Sequence, residues 1–324
     1  MVLNSVRAAA VLLTVLATGY LLQIGDQVAP ARSTLPVRVA VTAWDATSAA
    51  SNHEYFVSRV GVVAVGRRSI TLPILMYHYV RIPPSTKTDL LGYRLSVSPA
   101  DFTTQMDWLA HHGFHPVDFN DVRAYFAGTQ PLPARPVVIT LDDGYADLYT
   151  NAFPILAAHG FKAVAYIVSG FVGRWAYVSA AQVVQMDHNG IEIAAHTVDH
   201  MSLARSSYAS AMHQLVDCKR MLEHLLGHSV LDFAYPSGQF NAMSIAAVQR
   251  AGYDTAVTEA FSVDHSAGDR YLWTRVRVGG GESVAEFVKS LGTPMPSTTI
   301  TLLDIETAET ALPILSRPPL HLLR

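Results

Sequence analysis

Two acidic residues stand side by side where an apolar run ends, in Val137-Val138-Ile139-Thr140-Leu141-Asp142-Asp143-Gly144. Further along, His196-Thr197-Val198-Asp199-His200 closes a second apolar run, Ile191 to Ala195. A carboxylate and two imidazoles form a three-ligand set for a divalent metal that leaves a coordination position open for water. The neighbouring carboxylate is then spare and can act as a base. Adjacent carboxylates repel unless a cation or hydrogen-bond donors compensate. Successive strand residues face opposite sides, so the two aspartates should have different jobs. Each feature has a plainer reading. Asp-Gly is a common turn dipeptide, and a lone histidine in a chain holding 14 of them is by default a core or surface residue. Asp199 is expected to contact solvent from a loop, the other readings being a further donor or an imidazole-orienting partner.

The elements that must position these groups alternate. From Thr71 onward the pattern predicts strands over Leu72–Tyr77, the run into Asp142, Phe161–Val168, Ile191–Ala195, Leu231–Tyr235 and Tyr253–Val257. Helices are predicted after the Ser98-Pro99 start signal to about Gly113, then over Asp121–Phe126, Ala146–His159, Ser179–His188, Ser206–Leu226 and Asn241–Ala251. Pro154 predicts a kink in its helix or a later start. Phe114 to Phe119 reads as extended. Such alternation points to parallel βα units, hence a barrel or a doubly wound sheet. About seven strands before Val278 favour an α/β fold, a closed or nearly closed barrel in a single catalytic domain. In that class the carboxyl ends of the strands gather ligands and catalysis.

The 324 residues can bury one sizeable core or at most two small ones. A formal net charge of −3 implies no basic field, which argues against a nucleic-acid partner. The single cysteine, Cys218, excludes an intrachain disulfide framework and a Cys-rich zinc site. Its spacing with Leu215, Leu222 and Leu225 places it on a helix core face. Arg7 precedes a nearly uncharged run, Ala8 to Ile24, with Asp26 beyond it. Residues 1–25 therefore read as a cleaved signal peptide or a retained membrane anchor, and both stay open. With no Lys or Arg before Arg32 downstream, the catalytic portion is expected outside the cytoplasm. Residues 26–70 read as a linker with short strands at Val37–Val41 and Val57–Val65, 71–292 as the catalytic domain, and 293–324 as a tail without usable motif.

Three segments in order, Thr140-Leu141-Asp142-Asp143-Gly144, His196-Thr197-Val198-Asp199-His200 and Tyr235-Pro236-Ser237-Gly238, resemble the motifs of the polysaccharide deacetylases. These are the NodB-homology proteins of carbohydrate esterase family four. The resemblance covers about Thr71 to Phe287. It implies a distorted (β/α) barrel, one divalent metal ion, commonly zinc, and hydrolysis of N-acetyl groups on an amino-sugar polymer. By its motifs Asp142 matches the catalytic base, and Asp143, His196 and His200 match the metal ligands. Ile74-Leu75-Met76-Tyr77-His78 is similar to an early strand in the exported poly-β-1,6-N-acetyl-D-glucosamine deacetylases, where motif order is permuted. That likeness makes His78 the candidate general acid. Trp273-Thr274-Arg275-Val276 resembles the late motif whose arginine pairs with the base, with Arg277 as rival.

The chain departs from the family at Ala234, where an arginine is usual, and at Ser237, where an aromatic is usual. The alanine also occurs in the exported branch. Tyr235, Pro236, Ser237 and Gly238 remain candidates for the substrate and oxyanion wall, through a backbone N–H. Leu320-His321 has no preceding strand and is set aside. Two other functions fit the residues: an O-acetyl esterase acting on xylan or another acetylated glycan, and a non-catalytic carbohydrate-binding protein.

Overall fold

The computed structural model describes residues 69–292. The expected leader, the strands at Val37–Val41 and Val57–Val65, and the tail 293–324 lie outside the described residues. Within them, the predicted alternation becomes seven parallel strands in chain order. These are β1 (Ile74–Tyr77), β2 (Pro136–Leu141), β3 (Ala163–Ile167), β4 (Ile191–Ala195), β5 (Asp232–Ala234), β6 (Thr255–Val257) and β7 (Val276–Arg277). Their spatial order is β6-β5-β4-β3-β2-β1-β7, every pair parallel. A further strand, His115–Pro116, pairs with the start of β2.

The sheet curls until its edges meet across one segment. Trp273 N–H donates to Ala256 O (3.1 Å) and Thr258 N–H to Trp273 O (2.8 Å) on one side, while Val278 N–H reaches Met76 O (3.1 Å) on the other. The result is the distorted (β/α) barrel expected from the alternation. Period-two alternation then sorts the side chains. Ile74, Val138, Val164, Tyr166, Ala194, Ala234 and Val257 point inward with Trp273. Leu75, Tyr77, Ile139, Leu141, Ala165, Ile167, Ile193 and Phe233 point outward beneath the helices.

The helices follow their capping signals. Ser98 accepts from Asp101 N–H ahead of Pro99–His111, and Ser179, Asn241 and Ser207 cap Ala180–Asp187, Ala242–Arg250 and Tyr208–Leu226. Pro154 has the predicted effect. A wide π-type turn, Leu148–Ala152, precedes Phe153–Ala158, because a helix cannot run regularly into a residue lacking an N–H. Helix Phe119–Ala127 starts earlier than predicted because Asp118 and Asp121 form a capping box. It closes the amino-terminal mouth of the barrel. Phe119 stacks on Trp273 with centroids 5.6 Å apart, and Arg123 pairs with Glu192 and Asp232 at the strand starts.

Also present, and not anticipated, are helices Leu90–Leu95 and Val284–Ser290, a short parallel pair, Tyr79–Val80 with Ser96–Val97, and an antiparallel pair, Ser69–Thr71 with Asp264–Ser266. That pair carries ordered structure slightly ahead of the expected boundary at Thr71. Among the described residues no helix is long and apolar enough to cross a membrane.

Because Trp273 both closes the barrel and fills it, Trp273→Ala should cost about 3–5 kcal/mol of unfolding free energy. Urea denaturation followed by circular dichroism measures it. A loss below ~1 kcal/mol, the level of a typical surface change, would mean the inner cluster does not depend on this ring.

Candidate active site

The carboxyl ends of β1, β2, β4 and β5 and the closing segment converge on one face. Asp142 continues the inward register of Val138 and Thr140, and its N–H donates to Tyr77 O at 2.9 Å. Its carboxylate is 1% exposed and is gripped at both oxygens by Arg275, Nη1 to Oδ1 at 2.7 Å and Nη2 to Oδ2 at 2.8 Å. Arg275 is fixed in turn by Nε to Thr258 O at 2.9 Å and Nη1 to Thr140 Oγ1 at 3.1 Å. Burial pushes the Asp142 carboxyl up, but the Arg275 charge and its hydrogen bonds outweigh this and hold it below the usual carboxylate range. Arg277, the rival cation, is partly exposed and pairs with Glu259 instead.

Asp143 leaves the strand. Its φ of 73°, followed by 76° at Gly144, turns the chain sharply and brings the carboxylate round to His196 and His200. Asp143 Oδ1 lies 3.4 Å from His196 Nε2 and 3.3 Å from His200 Nε2. One donor atom from each of the three residues falls within 4.8 Å of the others. His196 Nδ1 lies 2.8 Å from Ala234 O. A carbonyl only accepts, so Nδ1 carries a proton; burial disfavours a second proton on the ring, but the charges of Asp142 and Asp143 outweigh this and raise its affinity for one at Nε2. Asp143 Oδ1 is buried and receives no hydrogen bond among the described residues. A buried carboxylate oxygen beside two imidazole nitrogens needs positive charge near it, which a protonated ring or a bound cation supplies. The donor set therefore fits a divalent cation. Burial pushes Asp143 up, yet His196 and its neighbouring imidazoles bring it well below its usual range, so it is ionised for that role.

The remaining candidates spread around this centre. His78 follows β1 directly, is 7% exposed, and has Nδ1 without a partner among the described residues. Burial lowers its affinity for a proton, and Asp142 and Asp143 pull it partly back, so both carboxylates lie within electrostatic reach. Tyr235 turns outward, packed against Phe233 and Phe240, and its N–H is taken by Val257 O at 3.1 Å. Pro236 has no N–H at all. Tyr235 and Pro236 therefore drop out of the donor set, leaving the N–H of Ser237, a residue with φ 54°. Gly238 turns tightly against Glu259, where a Cβ would meet side chain and backbone at 2.7–2.8 Å. Asp199 is exposed, as expected of a loop residue.

Sequence reasoning passed over a wall of tyrosines beside Asp143. Tyr79 and Tyr145 stack at 3.7 Å, Tyr145 and Tyr177 at 5.2 Å, and the Arg81 guanidinium covers Tyr79 at 3.5 Å. Burial, then the Asp143 charge, push the Tyr145 hydroxyl up, so it stays protonated and able to donate. The available signal was positional, since Tyr79 follows His78 and Tyr145 follows Gly144.

The polysaccharide deacetylase family profile matches residues 129–256, the stretch that carries both aspartates and both histidines of this centre. The matched stretch is a polysaccharide deacetylase domain. That family is one of hydrolases. The protein YxkH of Bacillus subtilis (strain 168) is 28% identical over 216 residues, covering 67% of this chain and 74% of that protein. The poly-β-1,6-N-acetyl-D-glucosamine N-deacetylase of Escherichia coli (strain K12) is 26% identical over 241 residues, 61% of this chain. The match spans only 36% of that longer protein. Among solved structures, the Streptococcus pyogenes deacetylase PplD in complex with acetate superposes with a TM-score of 0.65 at 25% identity, covering 70% of this chain and all of that one.

The Asp142–Arg275 pair makes a pH-dependent prediction. A carboxyl held below its unfolded value contributes stability that is present above ~3.9, the unfolded pKa, and lost as pH falls through the folded value. Arg275→Met leaves Asp142 buried and unpaired, which should cost about 3–5 kcal/mol at pH 7. The gap between the two proteins should narrow as the pH falls, first as the variant's unpaired carboxyl protonates above ~3.9 and then as the wild-type pair is lost below it. Chemical unfolding at several pH values tests this; a gap that stays constant into acid would remove the ion pair as its cause.

Proposed function

We propose that this protein is a metal-dependent hydrolase that removes N-acetyl groups from an amino-sugar polysaccharide of the poly-N-acetylglucosamine kind. The reading is supported chiefly by one arrangement: an Asp-His-His donor set with a buried, ionised carboxylate next to it in sequence, held off that set by an arginine. The N-deacetylase named among the relatives supports the bond and the sugar. Exposed aromatics follow β3 (Trp175), β5 (Phe240) and β6 (Phe261), on loops at the same barrel face, where sugar rings can stack. The apolar run Ala8 to Ile24 supports an extracytoplasmic location, with that run as leader or anchor.

In this reading Asp143, His196 and His200 hold one divalent cation, zinc by the chemistry of a two-imidazole, one-carboxylate set. When bound, such an ion polarises an acyl oxygen and lowers the pKa of a water to about 7. Asp142 would accept the proton of the water that attacks the acetamide carbonyl carbon. Each Asp142 oxygen keeps a free lone pair beyond its bond to Arg275, so the grip orients the base without blocking it. The Ser237 N–H would donate to the carbonyl oxygen as negative charge develops there. His78 delivers a proton to the leaving nitrogen, and the products are acetate and a free glucosamine residue.

Two variants separate the roles. Asp142→Asn should lose ~10²–10⁴-fold in acetate release from N-acetylglucosamine oligomers while keeping its zinc. His200→Ala should lose zinc and activity together. Acetate release with and without chelator, alongside zinc content by mass spectrometry, reads both. A fully active, zinc-replete His200→Ala protein would overturn the ligand assignment.

His78→Gln should likewise lose ~10²–10⁴-fold with zinc retained, as removal of a general acid requires. The same assay run on acetylated xylan distinguishes amide from ester chemistry. Preferential turnover of xylan would redirect the proposal to an O-acetyl esterase.

A further inference from the structure

The loop that carries His196 and His200 contains two non-glycine residues in the left-handed region, Thr197 at φ 66° and His200 at φ 61°. Such a loop does not hold its shape from local preference, so something outside it must do so. Its backbone is secured on one side by the chain that follows β3. His196 N–H donates to Ile167 O at 3.0 Å, Ser169 N–H to Thr197 O at 3.0 Å, and Gly170 N–H to Val198 O at 2.8 Å. Gly170 allows this approach, since a Cβ there would run into the Val198 carbonyl oxygen.

On the other side is one side chain. Gln214, on helix Tyr208–Leu226, directs Oε1 at two consecutive backbone donors, Val198 N–H at 2.9 Å and Asp199 N–H at 3.2 Å. It is 4% exposed. Its neighbours on the buried helix face are Ala211, Leu215, Cys218 and Leu222, so a polar residue stands where packing alone would select an apolar one. The two amides it accepts from lie between the imidazole-bearing residues.

We propose that Gln214 is a positioning residue for the metal site: it clamps the Val198–Asp199 backbone so that both imidazoles are aimed before the ion arrives. The proposal rests on the metal reading of Asp143, His196 and His200. Gln214 touches neither ion nor substrate. It acts by sparing the loop the loss of conformational freedom that binding would otherwise impose.

Gln214→Met keeps size and helix propensity and removes the acceptor, whereas Gln214→Glu keeps an acceptor oxygen. Zinc affinity of the full chain, measured by competition with a chromophoric chelator, should fall 10–100-fold in Gln214→Met, as for other residues that orient metal ligands. It should be restored in Gln214→Glu. Activity of Gln214→Met should fall at limiting zinc and recover at saturating zinc. Wild-type zinc affinity in Gln214→Met, or equal weakness in both variants, overturns the proposal. Amide hydrogen exchange of zinc-free wild-type protein tests it without any variant: Val198 and Asp199 should be protected, and exchange at open-loop rates would overturn it. Wild-type protein with no zinc affinity would instead overturn the metal reading, and this inference with it.

Discussion

The buried pairing of Asp142 with Arg275 ties the barrel to its chemistry. Arg275 belongs to the segment that spans the two edges of the curled sheet, and Asp142 ends β2, two strands away across β1. The ion pair therefore crosses β1 inside the barrel, and Thr140 and Thr258 supply the remaining polar contacts. Removing two charges from water costs several kcal/mol per ion, returned only if geometry and hydrogen bonding are good. Here the pairing is bidentate and the arginine has two further acceptors. An apolar pair of similar volume would fill the space as well, and what it could not provide is an ionised carboxylate with a fixed orientation at the mouth of the barrel.

The same constraint explains how adjacent aspartates come to differ. Strand alternation alone would send Asp143 outward into the layer beneath the helices, where an ion has no partner. The left-handed conformation at Asp143 and at Gly144 breaks that alternation and carries the second carboxylate to the histidines. A non-glycine residue in this region costs about 1–2 kcal/mol, a small sum beside the cost of burying an unpaired carboxylate. Asp142 is thus held by the barrel interior and Asp143 by the turn. One carboxylate is paired with a permanent cation, while the other has an oxygen that accepts no hydrogen bond among the described residues.

Much of this was legible in the residues. Apolar runs in β2 and β4, the Ser98-Pro99 start and the spacing of cap residues located the strands and most helices, because those signals are local. The convergence of Asp143 with His196 and His200 could be anticipated from their places at strand ends, where a parallel barrel brings distant segments to one face. The choice of Arg275 over Arg277 was not available from strand periodicity, since both sit on the same face. The strand's depth decided it, with Arg275 reaching the interior and Arg277 only the rim, where Glu259 meets it. Likewise the tyrosine wall and the outward turn of Tyr235 depend on contacts between loops, which leave no periodic trace. The antiparallel pair Ser69–Thr71 with Asp264–Ser266 was invisible for the same reason: two three-residue strands far apart in sequence carry almost no pattern of their own.

Strain is distributed in keeping with this division. Among the described residues, Asp143, Ala176, Thr197, His200 and Ser237 have positive φ beyond the carboxyl ends of β2, β3, β4 and β5, while Arg135 alone among the non-glycine residues does so at the amino end of a strand, just before β2. At the opposite mouth, polar and apolar contacts agree, with Phe119 stacked on Trp273 and Arg123 pairing across two strand starts. A barrel can tolerate unfavourable turns at one end when the other end and the interior specify its closure independently. Four of these positions, Asp143, Thr197, His200 and Ser237, redirect a carboxylate, two imidazoles and a backbone N–H away from the course their strands would give them. Relaxing any one to ordinary backbone geometry would favour the fold locally and take its donor off the face where the others meet.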